Sequence, residues 1–276
     1  MISVIIPAHN EEQVIRRVLQ ALTQGSRADE LEIIVVCNGC IDSTADIARS
    51  CDGPVRVIEI ETASKSRALN TGDRIARGYP RFYLDADLIF SIEDLRVIAA
   101  SLLQDGLLAA APEMEFDLSG ASRAVNAYYR VWQKMPYFDT GRIAGAYGLS
   151  ERGRARFSEF PDVIADDGFV RLQFAPAERA TIRESRVIVI PPKSMASLLR
   201  VKTRSHRGVF ELRRKYPLLL RNETASPGKS LQRLLQLNLP WSEIGTYVFV
   251  SAAAKMLGKL HQIVGVRKWA RDDSSR

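Results

Sequence analysis

Between residues 3 and 84 the chain alternates four short β-branched or apolar runs with stretches of helical periodicity: Ser3 to Ile6, Ile33 to Val36, Val55 to Ile60 and Phe82 to Leu84. Each strand and each helix must bury an apolar stripe, and this alternation is met by a parallel sheet whose crossover helices cover it. Val14, Ile15, Val18, Leu19 and Leu22 recur at the helical period and give the first crossover. Thr44 to Cys51 and Ser64 to Arg77 give the next two, and Ser91 followed by Asp94 reads as a capping box that opens a fourth helix.

Past Leu107 the pattern becomes mixed. A strand-like run covers Leu107 to Ala111, a long helical pattern Ser119 to Met135, and a Gly-rich piece Gly141 to Gly148. Asp166 to Phe174 reads as a short helix, and Arg186 to Ile190 as a late strand closed by Pro191 and Pro192. From Ser194 the chain is helical and basic, with a loop or linker expected where polar and turn residues cluster from Arg221 to Lys229. The length of 276 residues allows one substantial core and an appended lobe. An α/β domain over 1–192 and a basic helical extension over 193–276 are therefore expected.

Ile2 to Ala8 has no basic flank before it and no small-residue cleavage site behind it, so it reads as a first strand and not as a secretory signal. Three cysteines, Cys37, Cys40 and Cys51, do not make a disulfide framework and point to a reducing compartment, the cytoplasm. Lys193 to Arg233 holds 11 Lys or Arg against Glu211 and Glu223, so this segment carries +9 of a net +7 and the remainder −2. Such a stretch suits phosphates, a nucleic acid or an anionic membrane, or is a solvated helix face. Only Phe210 and Tyr216 interleave with it, which argues against nucleic acid as a partner. The uncharged run Ile244 to Ala254 is 11 residues long, short of the ~20 needed to span a bilayer, and Lys255 and Lys259 interrupt its continuation. It is expected as a core helix or as a peripheral contact at the inner face of the cell membrane, with Lys255, Lys259, Arg267 and Lys268 near anionic headgroups.

In an open α/β sheet the ligand crevice lies at the carboxyl ends of the strands. The residues found there are polar: Pro7, Ala8, His9, Asn10 and Glu11 after the first strand, Asn38 to Thr44 after the second, Ser64 to Asn70 with Lys65 after the third, and Asp85, Ala86 and Asp87 after the fourth. Two carboxylates one residue apart can offer oxygens to a hard divalent cation that bridges diphosphate oxygens; the same tripeptide also makes simple turns. No Walker motif and no Gly-x-Gly-x-x-Gly after the first strand occurs, which leaves metal and cations to hold phosphates. Cys37 and Cys40 form a Cys-x-x-Cys, a pattern of redox or zinc sites, yet no second pair exists to complete four zinc ligands. Two small buried residues beside a strand end are the alternative.

The succession SVIIPAHNEE, VVCNGCIDSTADIA, SKSRALNTG, YLDAD and IADDGFVRLQF resembles the family 2 glycosyltransferases. The resemblance implies a GT-A fold with a nucleotide-binding half over about 1–111 and an acceptor half over about 112–192. It implies transfer of a sugar from a nucleoside-diphosphate donor, a UDP-sugar first among them with the base left open, to a glycan, glycolipid or small-molecule hydroxyl, with inversion. It further implies a divalent cofactor, Mn²⁺ or Mg²⁺, and a role in cell-surface polysaccharide, exopolysaccharide or glycolipid synthesis.

By the same resemblance Pro7, Ala8, His9 and Glu11 fall in the nucleoside-binding loop, Asp85 and Ala86 in the nucleotide and metal motif, and Asp87 at the principal metal ligand. Asn38 stands where the family has a base-contacting Asp; Asp42 matches a later family Asp or caps a helix. Asp167, with Asp166 beside it, matches the carboxylate that deprotonates the acceptor, or the pair favours a helix N-terminus. Lys202, Arg204 and Arg207 fall where the family carries a basic motif for the diphosphate. The rival expectations are a sugar-phosphate nucleotidyltransferase, which would release pyrophosphate, and a catalytically silent nucleotide- or membrane-binding scaffold.

Overall fold

The structure, a computed structural model, describes residues 1–104, 106–139, 141–224 and 227–264. In chain order its elements are β1 (Ile2–Ala8), α1 (Ile15–Thr23), β2 (Leu31–Asn38), α2 (Thr44–Arg49), β3 (Val55–Ile60), α3 (Lys65–Ile75), β4 (Arg81–Leu84), α4 (Ile92–Leu102) and β5 (Ala109–Phe116). There follow α5 (Arg123–Trp132), β6 (Ala146–Leu149), α6 (Glu151–Arg154), α7 (Asp166–Leu172), β7 (Arg179–Val189), α8 (Met195–Lys215), α9 (Pro227–Gln236) and α10 (Trp241–Val264). They gather into two compact units, one of Met1–Glu115, Ile143–Asp162 and Gln173–Val189, the other of Phe116–Arg142, Val163–Leu172 and Ile190–Arg276.

The first unit is built on a seven-stranded sheet in the order β3-β2-β1-β4-β6-β5-β7. β3, β2, β1 and β4 pair in parallel, as the strand and helix alternation requires, while β6 runs antiparallel to both β4 and β5. β2 reads Ile-Ile-Val-Val because both of its faces are covered. Ile33 and Val35 pack with α1 and α4, and Ile34 and Val36 pack with Ala68 of α3. Pro7 is tolerated inside β1 because β4 pairs only from Ser3 to Ile5, so at Pro7 the strand keeps β2 alone as partner. Ser91 caps α4 as expected: its hydroxyl accepts from the Asp94 amide at 3.1 Å. Asp94 in turn accepts from the Arg186 amide at 2.6 Å, which ties α4 to β7.

The second unit is helical. Val125, Tyr128 and Tyr129 of α5 pack with Leu198 of α8 and Val250 of α10, and Val131, Met135 and Ile244 form a second cluster with Leu234, Leu237 and Leu239. Compactness does not follow chain order: Phe116–Arg142 and Val163–Leu172 cluster with Ile190 onward, because α5 and α7 pack on α8 and α10, so a cut at residue 192 does not separate the units. Part of the expected loop at Arg221 to Lys229 is the start of α9, which opens at Pro227. Ala225, Ser226, Arg267 and Lys268 lie outside the described residues.

Candidate active site

The loops after β1 and β2 are tied to each other residue by residue. The His9 ring donates through Nδ1 to the Asn38 carbonyl at 2.6 Å, and the Asn38 side-chain amide donates to the Ala8 carbonyl at 2.8 Å. Asn10 Oδ1 accepts from the Ile41 amide at 2.8 Å, and Thr44 Oγ1 accepts from the Glu11 amide at 2.7 Å. Asp42 is the hub: Oδ1 accepts from the Thr44 amide and hydroxyl at 3.1 and 2.5 Å, and Oδ2 from the Glu12 amide at 3.3 Å. Asp42 thus makes a local Asp turn just before α2, whose N-cap is Ser43, and ties it to the neighbouring loop.

Two of the expected site residues also tie the loops together. Asn38 is buried, and its side-chain amide nitrogen, by donating to the Ala8 carbonyl, helps to hold the first loop. Ala8 is fully buried, and what it contributes is its carbonyl, which also accepts from Cys40 Sγ at 3.5 Å. The two cysteines of the Cys-x-x-Cys are free, with Cys37 buried in the sheet core and Cys40 partly buried beside the Asn10 amide at 3.4 Å. A hydrogen bond from Cys37 pulls the Cys40 thiol below its ordinary range, and the same bond pushes Cys37 up.

Gly39, between the cysteines, has φ of +59°, and a Cβ there would lie 2.8 Å from the Ala63 backbone nitrogen. Only glycine permits that turn and that approach, which brings the β2 loop against the start of α3. α3 is capped by Ser64, whose hydroxyl accepts from the Arg67 amide at 3.3 Å, and its first residue, Lys65, reaches the end of β4: Nζ lies 2.7 Å from Asp85 Oδ1. The Asp85 amide donates to the Gly145 carbonyl at 2.7 Å, and Leu88 closes the turn by donating to the Asp85 carbonyl at 3.3 Å. Burial alternates through this turn: Ala86, Leu88 and Phe90 are buried, whereas Asp85 and Asp87 are half-buried.

That arrangement fits a hard divalent cation. Among the described residues no group of three or more His, Cys, Asp or Glu side chains is gathered for a metal. Mg²⁺ commonly takes one or two carboxylates and fills its other positions with phosphate oxygens and water, and the Asp85-Asp87 turn supplies that many. Lys65 adds a positive group beside them.

In the second unit the segment before α7 is set by α8. A Cβ on Gly208 would fall 2.8 Å from the Ala165 Cβ, and Glu211 accepts from the Ile164 amide at 2.9 Å. Asp166 is buried, while Asp167 is half-buried and accepts from the Gly168 amide at 2.6 Å. Arg204 and Arg207 lie on the α8 face that carries Gly208 and Glu211, since positions 204, 207, 208 and 211 follow the helical repeat. Lys202 does not join them. Two residues earlier is more than half a turn away, and its ammonium is buried 3.2 Å from the Trp132 ring centroid, with Tyr128 and Tyr129 at 5.2 and 5.1 Å. Burial holds its pKa well below the ordinary lysine value, so an exposed phosphate contact is not the role this side chain is built for.

One cluster was not singled out from the sequence. Asp73 Oδ1 accepts from Arg81 Nη1 at 2.8 Å and from the Tyr83 hydroxyl at 2.6 Å, and Oδ2 accepts from Arg154 Nε at 2.8 Å. It joins α3, β4 and α6. Asp73, Arg81 and Tyr83 are near in sequence but sit on different elements, and Arg154 follows 81 residues after Asp73, so no helix or strand period announces the cluster.

The family model for glycosyl transferase family 2 matches residues 3–150. The chain belongs to that family. Among curated relatives of this family 2 chain, the probable glycosyltransferase YdaM of Bacillus subtilis is 38% identical over 94 residues, 31% of this chain and 22% of its own length. Glycosyltransferase AglE of Haloferax volcanii is 37% identical over 91 residues, 31% of this chain and 30% of its own length. The match therefore spans less than a third of those relatives. Mannosyltransferase PcManGT from Pyrobaculum calidifontis, solved with GDP-Man and Mn²⁺, superposes with a TM-score of 0.62 at 21% identity, over 96% of this chain and 81% of that one. Glucosyl-3-phosphoglycerate synthase from Mycobacterium tuberculosis, solved with Mn²⁺, UDP-Glc and phosphoglyceric acid, gives 0.57 at 18% identity, over 78% of this chain and 79% of that one. These likenesses show that this family 2 chain has the GT-A fold.

Proposed function

We propose that the chain transfers a sugar from a nucleoside-diphosphate donor to an acceptor hydroxyl with inversion, assisted by Mn²⁺ or Mg²⁺. The observation that carries the reading is the convergence at the carboxyl ends of β1, β2 and β4 of the cross-tied loops, Lys65 and the half-buried Asp85 and Asp87. Asp87, with Asp85, would hold the cation, which supplies Lewis-acid stabilisation to a departing diphosphate. Lys65 orients Asp85 and adds positive charge for the phosphates. The loop of Pro7, Ala8, His9 and Glu11 would receive the nucleoside, with the His9 ring fixed by the Asn38 carbonyl.

Asp167 would accept the hydroxyl proton as the acceptor oxygen attacks the anomeric carbon; it is the more exposed of the two adjacent acids, and Asp166 is buried. Arg204 and Arg207, whose guanidinium forks suit phosphate, would bind the diphosphate. The acceptor class is a glycan, glycolipid or small-molecule hydroxyl, in cell-surface polysaccharide or glycolipid synthesis. Two of the structurally similar enzymes were solved with GDP-Man and UDP-Glc, which makes UDP- and GDP-sugars the first donors to try.

A thermal-shift panel of nucleoside diphosphates with and without Mn²⁺ or Mg²⁺ tests the reading. Binding to the folded state should raise the melting temperature for one base, and only with metal. Turnover of the matching sugar nucleotide should release nucleoside diphosphate. Release of pyrophosphate from a sugar phosphate and a nucleoside triphosphate would overturn glycosyl transfer in favour of nucleotidyl transfer.

A further inference from the structure

α10 is apolar on both of its faces. The inward face, with Ile244, Val250, Ala254 and Gly258, packs on α5 and α8 and closes the core of the second unit. The exposed positions recur every three or four residues from Trp241 to Val264, so they form one stripe along the opposite side of the helix. On that stripe Trp241 is 77% exposed, Phe249 68%, Met256 69%, Leu260 52% and Ile263 74%. A single exposed apolar side chain needs no explanation. A row of large ones along a 24-residue helix does, because a water-facing helix side is ordinarily polar. The polar residues on the stripe are Ser242, Lys255 and Lys259, and it carries no acid. Glu243, the acid of this helix, lies off the stripe and pairs with Arg130 at 3.2 Å. In α9, just before, Leu231 and Leu235 are 61% and 71% exposed and stand one helical turn apart.

We infer that this stripe docks on an anionic lipid surface, with α10 lying in the plane of the headgroups. Lysines without acids, set among Trp, Phe, Met, Leu and Ile, are complementary to a surface that is apolar within and negative at its face. A second copy of the chain laid on the same stripe would bring lysines to lysines with no carboxylate to pair them. Among the described residues no helix is long and apolar enough to cross a membrane, which fits lying on the surface rather than spanning it. The inference is independent of the sugar donor, and its test reads lipid binding alone.

Full-length protein is floated with vesicles of phosphatidylcholine, with or without phosphatidylglycerol, at low and high salt. It should rise with the anionic vesicles, less so at high salt, and stay below with phosphatidylcholine alone. Phe249→Glu, Met256→Glu and Ile263→Glu combined should abolish flotation. Lys255→Gln with Lys259→Gln leaves the packing untouched and should lower the partition coefficient about 25-fold, since each lysine near an anionic surface is worth roughly 5-fold. Wild-type protein that stays in the soluble fraction with anionic vesicles at low salt would overturn the inference. So would a dimer in light scattering that becomes a monomer in the triple-Glu variant without any flotation of the wild type, which would assign the stripe to a second copy.

Discussion

Asp87 occupies a half-buried position in a turn whose neighbours Ala86 and Leu88 are buried, so its side chain is not needed to fill the core. Asp87→Ala should therefore keep the melting temperature of the apo protein while removing the metal-dependent shift given by the matching nucleoside diphosphate. An unchanged metal-dependent shift would take the metal role away from this residue. Asp167→Asn keeps the shape of the side chain and removes its ability to accept a proton near neutral pH. It should lower turnover by ~10²- to 10⁴-fold while leaving donor affinity in place; near-normal turnover would move the base elsewhere, to Asp166 first. Lys202 separates packing from phosphate binding. Its buried ammonium sits against Trp132, and Lys202→Met fills the same space with an apolar chain, so donor affinity should persist in that variant and fall in Arg207→Met. Isothermal titration of both variants with the matching nucleoside diphosphate and metal decides this, and a larger loss for Lys202→Met would restore it to the diphosphate.

At the scale of elements, the parallel half of the sheet was legible because β1, β2 and β4 are almost wholly buried apolar runs, β3 keeps a β-branched run at the edge, and the crossover helices keep a clear period. The Asp85-Ala86-Asp87 turn was legible from its place after Phe82-Tyr83-Leu84. β6 was not: it is four residues, Ala146–Leu149, inside a Gly-rich stretch too short to show a period of two. α9 was hidden for a different reason, since Pro227 and Gly228 read as a turn although proline is also a common first residue of a helix. The opposed placement of Lys202 and Arg204 was available in the sequence, because residues two apart on a helix point away from each other. Reading them as one motif overrode the period. The Asp73 cluster was beyond reach, for it is made by tertiary pairing of α3, β4 and α6. Its pairs are buried, with side-chain exposures of 7% and 10% for Arg81 and Asp73 and 10% for Arg154. Asp73→Asn would leave both guanidinium groups without their carboxylate and should cost about 3–5 kcal/mol in urea unfolding. A loss below ~1 kcal/mol would mean that solvent or a neighbouring group compensates the arginines.

The whole molecule should lose stability in acid in a way these same contacts dictate. Burial pushes the Asp73 carboxyl up, but hydrogen bonds from Arg154, Tyr83 and Arg81 more than offset it and leave its pKa below the usual range. Glu32 is likewise raised by burial and brought below its ordinary value by hydrogen bonds from Ser3, Arg77 and Gly78. Glu30 is lowered to about 2, chiefly by its hydrogen bond from Arg96 and then by the Arg27 amide. A carboxyl with a depressed folded pKa contributes stability that is fully present above its unfolded value, near ~4, and is lost as pH falls through the folded value. The urea midpoint should therefore be level from pH 7 to about 5 and fall steadily below ~4. Protonation of carboxylates also raises a net charge that is already +7, and self-repulsion acts in the same direction. The two causes part in Asp73→Asn, which starts from a lower midpoint at pH 7 and should show a shallower acid decline than wild type, because the proton that Asp73 takes up on acid unfolding is no longer there to be bound. Parallel declines in the two proteins would assign acid sensitivity to general charge repulsion instead of this cluster.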